Sequence, residues 1–290
     1  MNILILGANG YLGSKIAHTL VERGDFLICT RRKYSDLSNL SCLTNNDSVR
    51  FISTSIEELD NTMENMAIEW ILNFVCNYGR SGTSNNDVIV SNLEFPLKVM
   101  CKAMEKGITN FLTIGTGLPD DLNIYSFSKK IFSRFGEFYS NKQGINFFDM
   151  KVEMFYGSDE PRNRFIPYLI YNMLMGNEIN VTWGKQHRDV ISVRDVVNAV
   201  IIAMNSNKTG YNQIPVGTGI AIPISELVDY IWEETGKKSK VNKGAVPLRE
   251  DEPDCVADTS ILTELGDWHP IFWKNGIKQM IADIKSCERI

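Results

Sequence analysis

The segment Asn2-Ile-Leu-Ile-Leu6, followed by Gly7-Ala8-Asn9-Gly10-Tyr11-Leu12-Gly13, decides the fold of this chain. An apolar run that ends in a glycine-rich turn and leads into an amphipathic helix predicts the first βαβ unit of a nucleotide-binding sheet. Gly7 permits the tight turn, Gly10 lets the backbone approach a phosphate, and Gly13 lets the helix pack close to the strand. The helix N-terminus then offers free N–H groups to a pyrophosphate. The alternative is a glycine-containing turn of another α/β protein.

Strand-like and helix-like segments alternate through the first half of the chain. Further apolar runs typical of strands lie at Phe26–Thr30, Val49–Ser53, Trp70–Cys76, Asn110–Ile114 and Phe147–Met150. Segments with a helical pattern lie between them at Tyr11–Arg23, Val88–Lys106 and Tyr125–Asn141. This alternation predicts an α/β protein with a doubly wound parallel sheet and right-handed crossovers.

After about Gly157 the alternation loosens, and the C-terminal third mixes short strand-like and helical segments without a Pro/Ser-rich linker. This pattern predicts a smaller mixed C-terminal lobe woven into the same chain. We expect a nucleotide-binding domain over 1–156 and 187–216. A substrate lobe is expected over 157–186 and 217–290.

Composition excludes several classes of protein. A net charge of −5 over 290 residues argues against a nucleic-acid binder, which would carry basic surface. The apolar runs of this chain are too short to span a membrane, and its first predicted strand leaves no room for a signal peptide. None of the six cysteines forms a C-x-x-C pair, and His187 and His269 have no ligand-spaced partner. We therefore expect a cytoplasmic protein with reduced thiols and no metal.

A second motif, Tyr125-Ser-Phe-Ser-Lys129, carries chemistry of its own. Residues four apart share one face of a helix, so the phenol and the ammonium lie together. The ammonium is expected to stabilise the tyrosinate and to lower the phenol's pKa toward the working range. A surface tyrosine packed over a lysine stem is the structural alternative. Because the motif follows a nucleotide loop and opens a long helix, we favour catalysis.

The end of the second predicted strand points to a particular cofactor. It reads Thr30-Arg31-Arg32-Lys33, three cations and no acid. An acidic residue here would bind the ribose 2′-hydroxyl of NAD, whereas arginines accommodate the 2′-phosphate of NADP. A solvated charge cluster is the plain alternative. The sequence therefore predicts NADP(H).

The motifs together resemble the extended short-chain dehydrogenase/reductase family, the sugar-nucleotide epimerase/dehydratase group. The Gly-x-x-Gly-x-x-Gly spacing, Lys151-Val-Glu-Met-Phe-Tyr156-Gly157, Gln186-His187-Arg188-Asp189 and Leu265-Gly-Asp-Trp268 carry this resemblance along nearly the whole chain. The chain departs from the family at Lys151, where the family has arginine, and at Met154, where it has asparagine. The resemblance implies a Rossmann sheet and a homodimer.

The same resemblance implies roles for individual residues. Thr116 would complete a catalytic set with Tyr125 and Lys129, although Tyr125 follows it by only nine positions, and Thr113 is the less favoured substitute. The residues implied in cofactor binding, besides Tyr125 and Lys129, are Gly7, Asn9, Gly10, Tyr11, Leu12, Gly13, Arg31, Arg32, Ser55, Ile56, Cys76 and Asn92. Those implied in substrate binding are Asn163, Arg188 and Arg249. A salt bridge of Arg188 to Asp189 or Asp195, and an exposed loop position for Arg249, are the structural alternatives.

Family motif residues that this sequence lacks narrow the range of reactions it could catalyse. Gly117-Leu118 follows Thr116, where family members that remove water between C4 and C6 carry Asp-Glu. The cysteine and histidine typical of 3,5-epimerases are also missing. The block Arg164-Phe-Ile-Pro-Tyr-Leu-Ile looks most like bacterial 4-ketoreductases, the abequose and paratose synthase group. A CDP- or dTDP-linked 4-keto sugar reduced with NADPH is therefore expected. The alternatives are a 4-epimerase with tightly bound NAD, and a non-catalytic NADP-binding regulator.

Overall fold

The computed structural model describes residues 1–80, 82–247 and 253–288. The chain divides into two compact units. The first contains Met1–Lys151 and Asn205–Ile214, and the second contains Val152–Met204 and Pro215–Ile290. Which unit holds the cofactor and which the substrate stays a prediction.

A seven-stranded sheet with the order β10-β6-β5-β4-β1-β2-β3 organises the first unit. Its strands are β1 (Asn2–Leu6), β2 (Phe26–Arg31), β3 (Val49–Ser53), β4 (Trp70–Asn73), β5 (Asn110–Ile114), β6 (Asn146–Val152) and β10 (Tyr211–Val216). The pairs from β3 through β6 are all parallel. The strand order reverses where β1 lies between β2 and β4, and such a switch point opens a crevice at the carboxyl ends of the strands. The predicted doubly wound parallel sheet is confirmed.

Helices flank this sheet and bury its apolar side chains. They are α1 (Tyr11–Glu22), α2 (Ile56–Asn65), α3 (Asn85–Ile89), α4 (Phe95–Glu105) and α5 (Ile124–Gln143), with a 3₁₀ turn at Ser38–Leu43. One core cluster joins β-strand residues such as Leu4 and Ile71 to Val99 of α4 and Phe132 of α5. The single helix predicted over Val88–Lys106 is instead α3, a π turn (Val90–Glu94) and α4 in succession.

The strand predicted over Trp70–Cys76 is wrong at its C-terminal end, since β4 ends at Asn73. The Val75 backbone N–H donates to Asn73 Oδ1 at 3.2 Å, and this local bond turns the chain out of the sheet. Apolar character continues through Phe74 and Val75, so periodicity alone gave no sign of the turn. Cys76 therefore lies in a loop at the carboxyl edge of the sheet.

The second unit contains short strands and five helices among its described residues. The strands are β7 (Met154–Tyr156), β8 (Ile179–Val181), β9 (His187–Ser192), β11 (Ala221–Pro223) and β12 (Val241–Lys243). The helices are α6 (Phe165–Leu174), α7 (Val193–Asn205), α8 (Ile224–Glu234), α9 (Ser260–Leu265) and α10 (Trp273–Glu288). β9 pairs parallel with β7 and antiparallel with β11, so the predicted smaller mixed sheet is confirmed. Leu169, Leu227 and Ile277 join α6, α8 and α10 in one buried cluster.

No helix within residues 1–80, 82–247 and 253–288 is long and apolar enough to cross a bilayer.

Candidate active site

The glycine loop between β1 and α1 is built for close backbone approach. Gly7 has φ +77°, and a Cβ there would lie 2.9 Å from the Val75 backbone nitrogen. A Cβ on Gly13 would lie 2.3 Å from the Gly7 carbonyl oxygen, so only glycine lets α1 begin this close to the loop. No side chain of the described residues caps the first turn of α1. A compact loop that leads into an uncapped helix N-terminus fits the pyrophosphate of a dinucleotide.

The remaining loop residues are tied to the segment that follows β2. Asn9 Nδ2 donates to the Asp36 carbonyl oxygen and Asn39 Nδ2 donates to the Asn9 carbonyl oxygen, each at 3.3 Å. Tyr11 and Leu12 begin α1, and Leu12 is buried.

The two predicted NADP arginines lie at the carboxyl end of β2. Arg31 is the last residue of that strand and Arg32 follows it, and both side chains are exposed. Because β2 pairs directly with β1, they lie at the same sheet edge as the glycine loop. Their contact with a 2′-phosphate stays a prediction.

Ser55 and Ile56 begin α2, a helix that the sequence analysis did not predict. Ser55 Oγ accepts a hydrogen bond from the Glu58 backbone N–H at 3.2 Å and so serves as the N-cap. Ile56 is half-buried in the first turn. The structure gives Ser55 a local capping contact, and contact of both residues with the cofactor stays a prediction.

The catalytic candidates of the first unit lie together. Asn123 caps α5 by accepting from the Ser126 N–H at 3.0 Å, which starts the helix just before Tyr125. Lys129 lies one turn later, and its Nζ donates to the Val75 carbonyl oxygen at 3.0 Å. Thr116 Oγ1 accepts from the Leu118 N–H at 3.2 Å, and Thr116 lies close enough to the Tyr125 phenol to lower its pKa.

The substitute considered for Thr116 occupies a different place. Thr113 is buried inside β5, and its Oγ1 accepts a hydrogen bond from Asn73 Nδ2 at 3.1 Å. It therefore belongs to the interior of the sheet, whereas Thr116 lies in the loop that follows β5. Among the two threonines, only Thr116 is placed beside Tyr125 by the described contacts.

Burial shifts the pKa values of Tyr125 and Lys129. Burial raises the pKa of Tyr125 well above its usual range, Cys76 and Tyr78 add to the rise, and the Thr116 hydrogen bond opposes it. Burial likewise lowers the pKa of Lys129. The prediction that the phenol's pKa is lowered toward the working range is wrong for this structure, because desolvation dominates its net shift. A phenol that keeps its proton at neutral pH is suited to donate that proton.

Asn92 braces the loop that follows β4. It is fully buried in the π turn, its Nδ2 donates to the Asn77 carbonyl oxygen at 2.8 Å and to Ser128 Oγ at 3.1 Å, and its Oδ1 accepts from the Asn77 N–H at 2.8 Å. The amide thus connects this loop to α5. Direct contact of Asn92 with a cofactor stays a prediction.

Sequence reasoning missed two residues near the catalytic set. The Tyr78 ring lies against the Tyr125 ring, with 5.0 Å between centroids, and the Arg80 guanidinium lies 5.7 Å from the Tyr78 ring. Asp149 is buried in β6. The position of Tyr78 just after a central strand, and a carboxylate within the apolar run Phe147-Phe148-Asp149-Met150, are the signals that could have found them.

The substrate candidates belong to the second unit. Arg188 is buried and its Nη1 donates to the carbonyl oxygens of His187 and Pro253. Asn163 is exposed in the turn before α6. Arg249 lies outside the described residues. Contact of these residues with a substrate stays a prediction.

Asp189 and Asp195, the carboxylates considered as partners of Arg188, are engaged elsewhere. Asp189 is fully buried and accepts hydrogen bonds from the Thr218 N–H and hydroxyl, the Gly219 N–H and the Ala257 N–H. Asp195 Oδ2 accepts from the Ile271 N–H at 2.9 Å. Asp189 therefore shapes the turn after β10.

Metal ligation was considered at the histidines. His187 Nδ1 lies 3.2 Å from Asp254 Oδ2. Within the described ranges, no group of three or more His, Cys, Asp or Glu side chains is arranged to hold a metal ion.

Comparisons with known proteins bear on the family. The sequence pattern of the NAD dependent epimerase/dehydratase family matches residues 3–217. CDP-abequose synthase of Salmonella muenchen is 28% identical over 292 residues, which cover 97% of this chain and 97% of that protein. UDP-N-acetyl-alpha-D-glucosaminuronate decarboxylase of Bacillus cytotoxicus is 26% identical and covers 98% of both chains.

A solved structure bears on the fold. The crystal structure of UDP-glucose 4-epimerase from Thermotoga maritima, with UDP-glucose, matches with a TM-score of 0.86 at 21% identity. The match covers 99% of this chain and 100% of that chain. Since the family pattern spans well over half of the chain and includes both the glycine loop and the Tyr125 motif, the chain belongs to the NAD dependent epimerase/dehydratase family, as its sequence resemblance predicts.

Proposed function

We propose that this protein uses NADPH to reduce the C4 keto group of a nucleotide-activated 4-keto-6-deoxy or 3,6-dideoxy hexose. The nucleotide is CDP or dTDP, and the product serves bacterial surface polysaccharide synthesis such as that of O-antigen. The observation that carries the proposal is the buried Tyr125 in the first turn of α5, one helical turn before the buried Lys129, whose Nζ donates to the Val75 carbonyl oxygen. The full-length similarity to CDP-abequose synthase supports the substrate class.

The residues present fit a dinucleotide. The glycine loop and the uncapped N-terminus of α1 would hold the pyrophosphate, because glycine at positions 7 and 13 lets the loop pack against the Val75 backbone and lets α1 begin close to the loop. Arg31 and Arg32 would hold the 2′-phosphate with their planar guanidinium groups. Lys129 would donate hydrogen bonds to the ribose hydroxyls. When bound, the nicotinamide supplies the hydride that C4 accepts.

Three side chains would act on the keto oxygen of the substrate. Thr116 would donate a hydrogen bond to the keto oxygen, at the position where negative charge develops. Tyr125 would then transfer its phenolic proton to that oxygen, which becomes the product hydroxyl. Lys129, held at the Val75 carbonyl oxygen, would stabilise the tyrosinate that remains. Arg188 and Arg249 are the proposed ligands of the substrate diphosphate.

The test is a panel of substrates. Purified protein is mixed with NADPH, and in parallel with NADH, and with CDP-, dTDP- or GDP-linked 4-keto-6-deoxy hexoses and the 3-deoxy form of the CDP compound. We expect the absorbance of reduced nicotinamide to fall with a CDP- or dTDP-linked compound. Interconversion of C4 epimers with NAD that copurifies, and without net consumption, would instead identify a 4-epimerase. NADPH binding without turnover across the panel would identify a non-catalytic regulator.

Exchange of both arginines at the end of β2 should change cofactor preference. In the double variant Arg31→Ser, Arg32→Ser we expect the KM for NADPH to rise about 10- to 100-fold, since each lost charged hydrogen bond costs about 1.5 kcal/mol or more. The KM for NADH should stay close to its original value. Arg134→Ser, which removes an exposed arginine from α5, is the matched control. Equal KM changes for both cofactors would contradict the assignment to the 2′-phosphate.

We also propose that the protein is a cytoplasmic homodimer. Phe127 and Phe138 of α5 are about half exposed and lie three helical turns apart, so they share one face of the helix. Paired exposed aromatics on one helix face favour a protein–protein contact.

A further inference from the structure

A cysteine and a histidine lie in contact on the surface of the first unit. Cys42 Sγ lies 3.7 Å from Nδ1 of His18 and 3.9 Å from its Nε2, both within the range of a hydrogen bond to sulfur. Cys42 belongs to the 3₁₀ turn at Ser38–Leu43, and His18 belongs to α1. Neither side chain takes part in the mechanism proposed above.

The neighbouring backbone determines which imidazole nitrogen of His18 can accept a proton. His18 Nε2 lies 3.0 Å from the Asn39 carbonyl oxygen. A carbonyl oxygen can only accept, so Nε2 carries the hydrogen of this bond. In a neutral imidazole the other nitrogen is then an acceptor, and this nitrogen, Nδ1, is the one nearer to the Cys42 sulfur. His18 is therefore oriented to take the proton of the Cys42 thiol.

Cys42, His18 and the Asn39 carbonyl group together form an arrangement that activates a nucleophile. Such an arrangement needs a nucleophile, a base within hydrogen-bond reach of it and a third group that orients the base. Cys42 is the nucleophile, His18 is the base and the Asn39 carbonyl group orients the imidazole. A thiolate is the attacking form of a cysteine, and a neighbouring histidine that accepts the proton favours it.

The Cys42 sulfur is open to reagents in solution, although the turn that carries it is anchored. Leu40 and Leu43 of the turn are buried, whereas Cys42 is exposed. Cys287 in α10 is exposed as well, but among the contacts described for residues 253–288 it has no imidazole partner. Cys287 is therefore an internal reference for an exposed thiol without a base.

The 3₁₀ turn that carries Cys42 is tied to the glycine loop. Asn39 Nδ2 donates to the Asn9 carbonyl oxygen, and Asn9 Nδ2 donates to the Asp36 carbonyl oxygen, each at 3.3 Å. Asn39 thus bonds to His18 through its backbone and to the glycine loop through its side chain. A bulky group on the Cys42 sulfur would occupy the space beside His18 and disturb the segment that holds Asn9 in place.

We propose that Cys42 is a modification site, a thiol activated by His18 that forms mixed disulfides with low-molecular-weight disulfides and thereby weakens cofactor binding at the glycine loop. The thiol proton passes to His18 Nδ1, and the Cys42 thiolate attacks one sulfur of the disulfide. The new sulfur–sulfur bond forms as the old one breaks, and the departing thiolate takes the proton from His18. The Cys42 sulfur is oxidised and the departing sulfur is reduced.

The first experiment measures the reaction with glutathione disulfide at neutral pH, followed for each cysteine by peptide mass spectrometry. It compares wild type with His18→Gln, which keeps an N–H group for the Asn39 carbonyl oxygen but removes the base. In wild type we expect Cys42 to react about 10-fold or more faster than Cys287. In His18→Gln the rate at Cys42 should fall toward that of Cys287, which should not change. Equal rates at both cysteines in wild type, or an unchanged Cys42 rate in His18→Gln, overturn the proposal.

The second experiment measures the Kd for NADPH and for NADH by nicotinamide fluorescence, before and after treatment with glutathione disulfide. Loss of one hydrogen bond of ordinary strength weakens binding about fivefold, so we expect the Kd to rise by about that factor or more. Dithiothreitol should restore the original Kd. In Cys42→Ser the Kd should not respond to the treatment.

The effect on cofactor binding rests on the nucleotide site of the proposed function, whereas the reactivity of Cys42 does not. An unchanged Kd in modified wild type, or an equal rise in Cys42→Ser, overturns the link between Cys42 and the glycine loop. A protein that shows both the selective reaction and the change in Kd, but reduces no keto sugar, would refute the proposed function and support the role of Cys42.

Discussion

Replacing Tyr125 by phenylalanine should lower kcat about 1,000-fold, within the range that loss of a positioned acid produces. The variant loses the phenolic proton donor but keeps the ring that packs against Tyr78. NADPH affinity should change little, because Lys129 stays anchored to the Val75 carbonyl oxygen. Steady-state rates of NADPH consumption and fluorescence titration of NADPH measure the two quantities separately.

A matched control distinguishes loss of the proton from general damage to α5. Tyr139→Phe removes the same atom from the same helix, where the hydroxyl contacts only Cys101 Sγ among the contacts described for it. We expect this variant to keep nearly full activity. Near-wild-type turnover in Tyr125→Phe would refute Tyr125 as the acid, whatever the control shows.

Replacing Asp189 by alanine should lower the free energy of unfolding of the protein by about 3 kcal/mol or more. The fully buried carboxylate accepts hydrogen bonds from three backbone N–H groups and one hydroxyl, those of Thr218, Gly219 and Ala257. Its removal leaves the Ala257 N–H buried without this acceptor and takes the acceptor from the partly buried donors of Thr218 and Gly219, which costs more than the bonds contributed. Equilibrium urea unfolding, followed by fluorescence of the tryptophans, measures the change.

The control for this prediction is an exposed aspartate. Asp267→Ala removes a side chain that is 91% exposed and pairs with His269, so the free energy of unfolding should change by less than about 0.5 kcal/mol. Asp189→Asn keeps one acceptor oxygen and should fall between the two. Equal stability of Asp189→Ala and Asp267→Ala would mean that the turn at Thr218 finds its hydrogen bonds elsewhere.

Local sequence patterns predicted most of the fold and part of the candidate site. The apolar run before Gly7, the glycine spacing and the helix after Gly13 act within a dozen residues, so the sequence predicted the first βαβ unit correctly. The four-residue spacing of Tyr125 and Lys129 placed both on one face of α5 for the same reason. Helix α2 was missed because only three of its ten residues are buried, which leaves a weak apolar pattern.

The amino-acid sequence by itself determined the alternation of strands and helices, the glycine loop and the shared helix face of the catalytic candidates Tyr125 and Lys129, since each depends on chemistry between near neighbours in the chain. Only the tertiary structure decided their environment. The direction of the pKa shift of Tyr125 depends on burial. The placement of Asp149 beneath Gly115 depends on the pairing of β5 with β6. Burial and strand register arise from contacts between distant segments, and such contacts determine how strongly a charge is desolvated and which charge lies beside it.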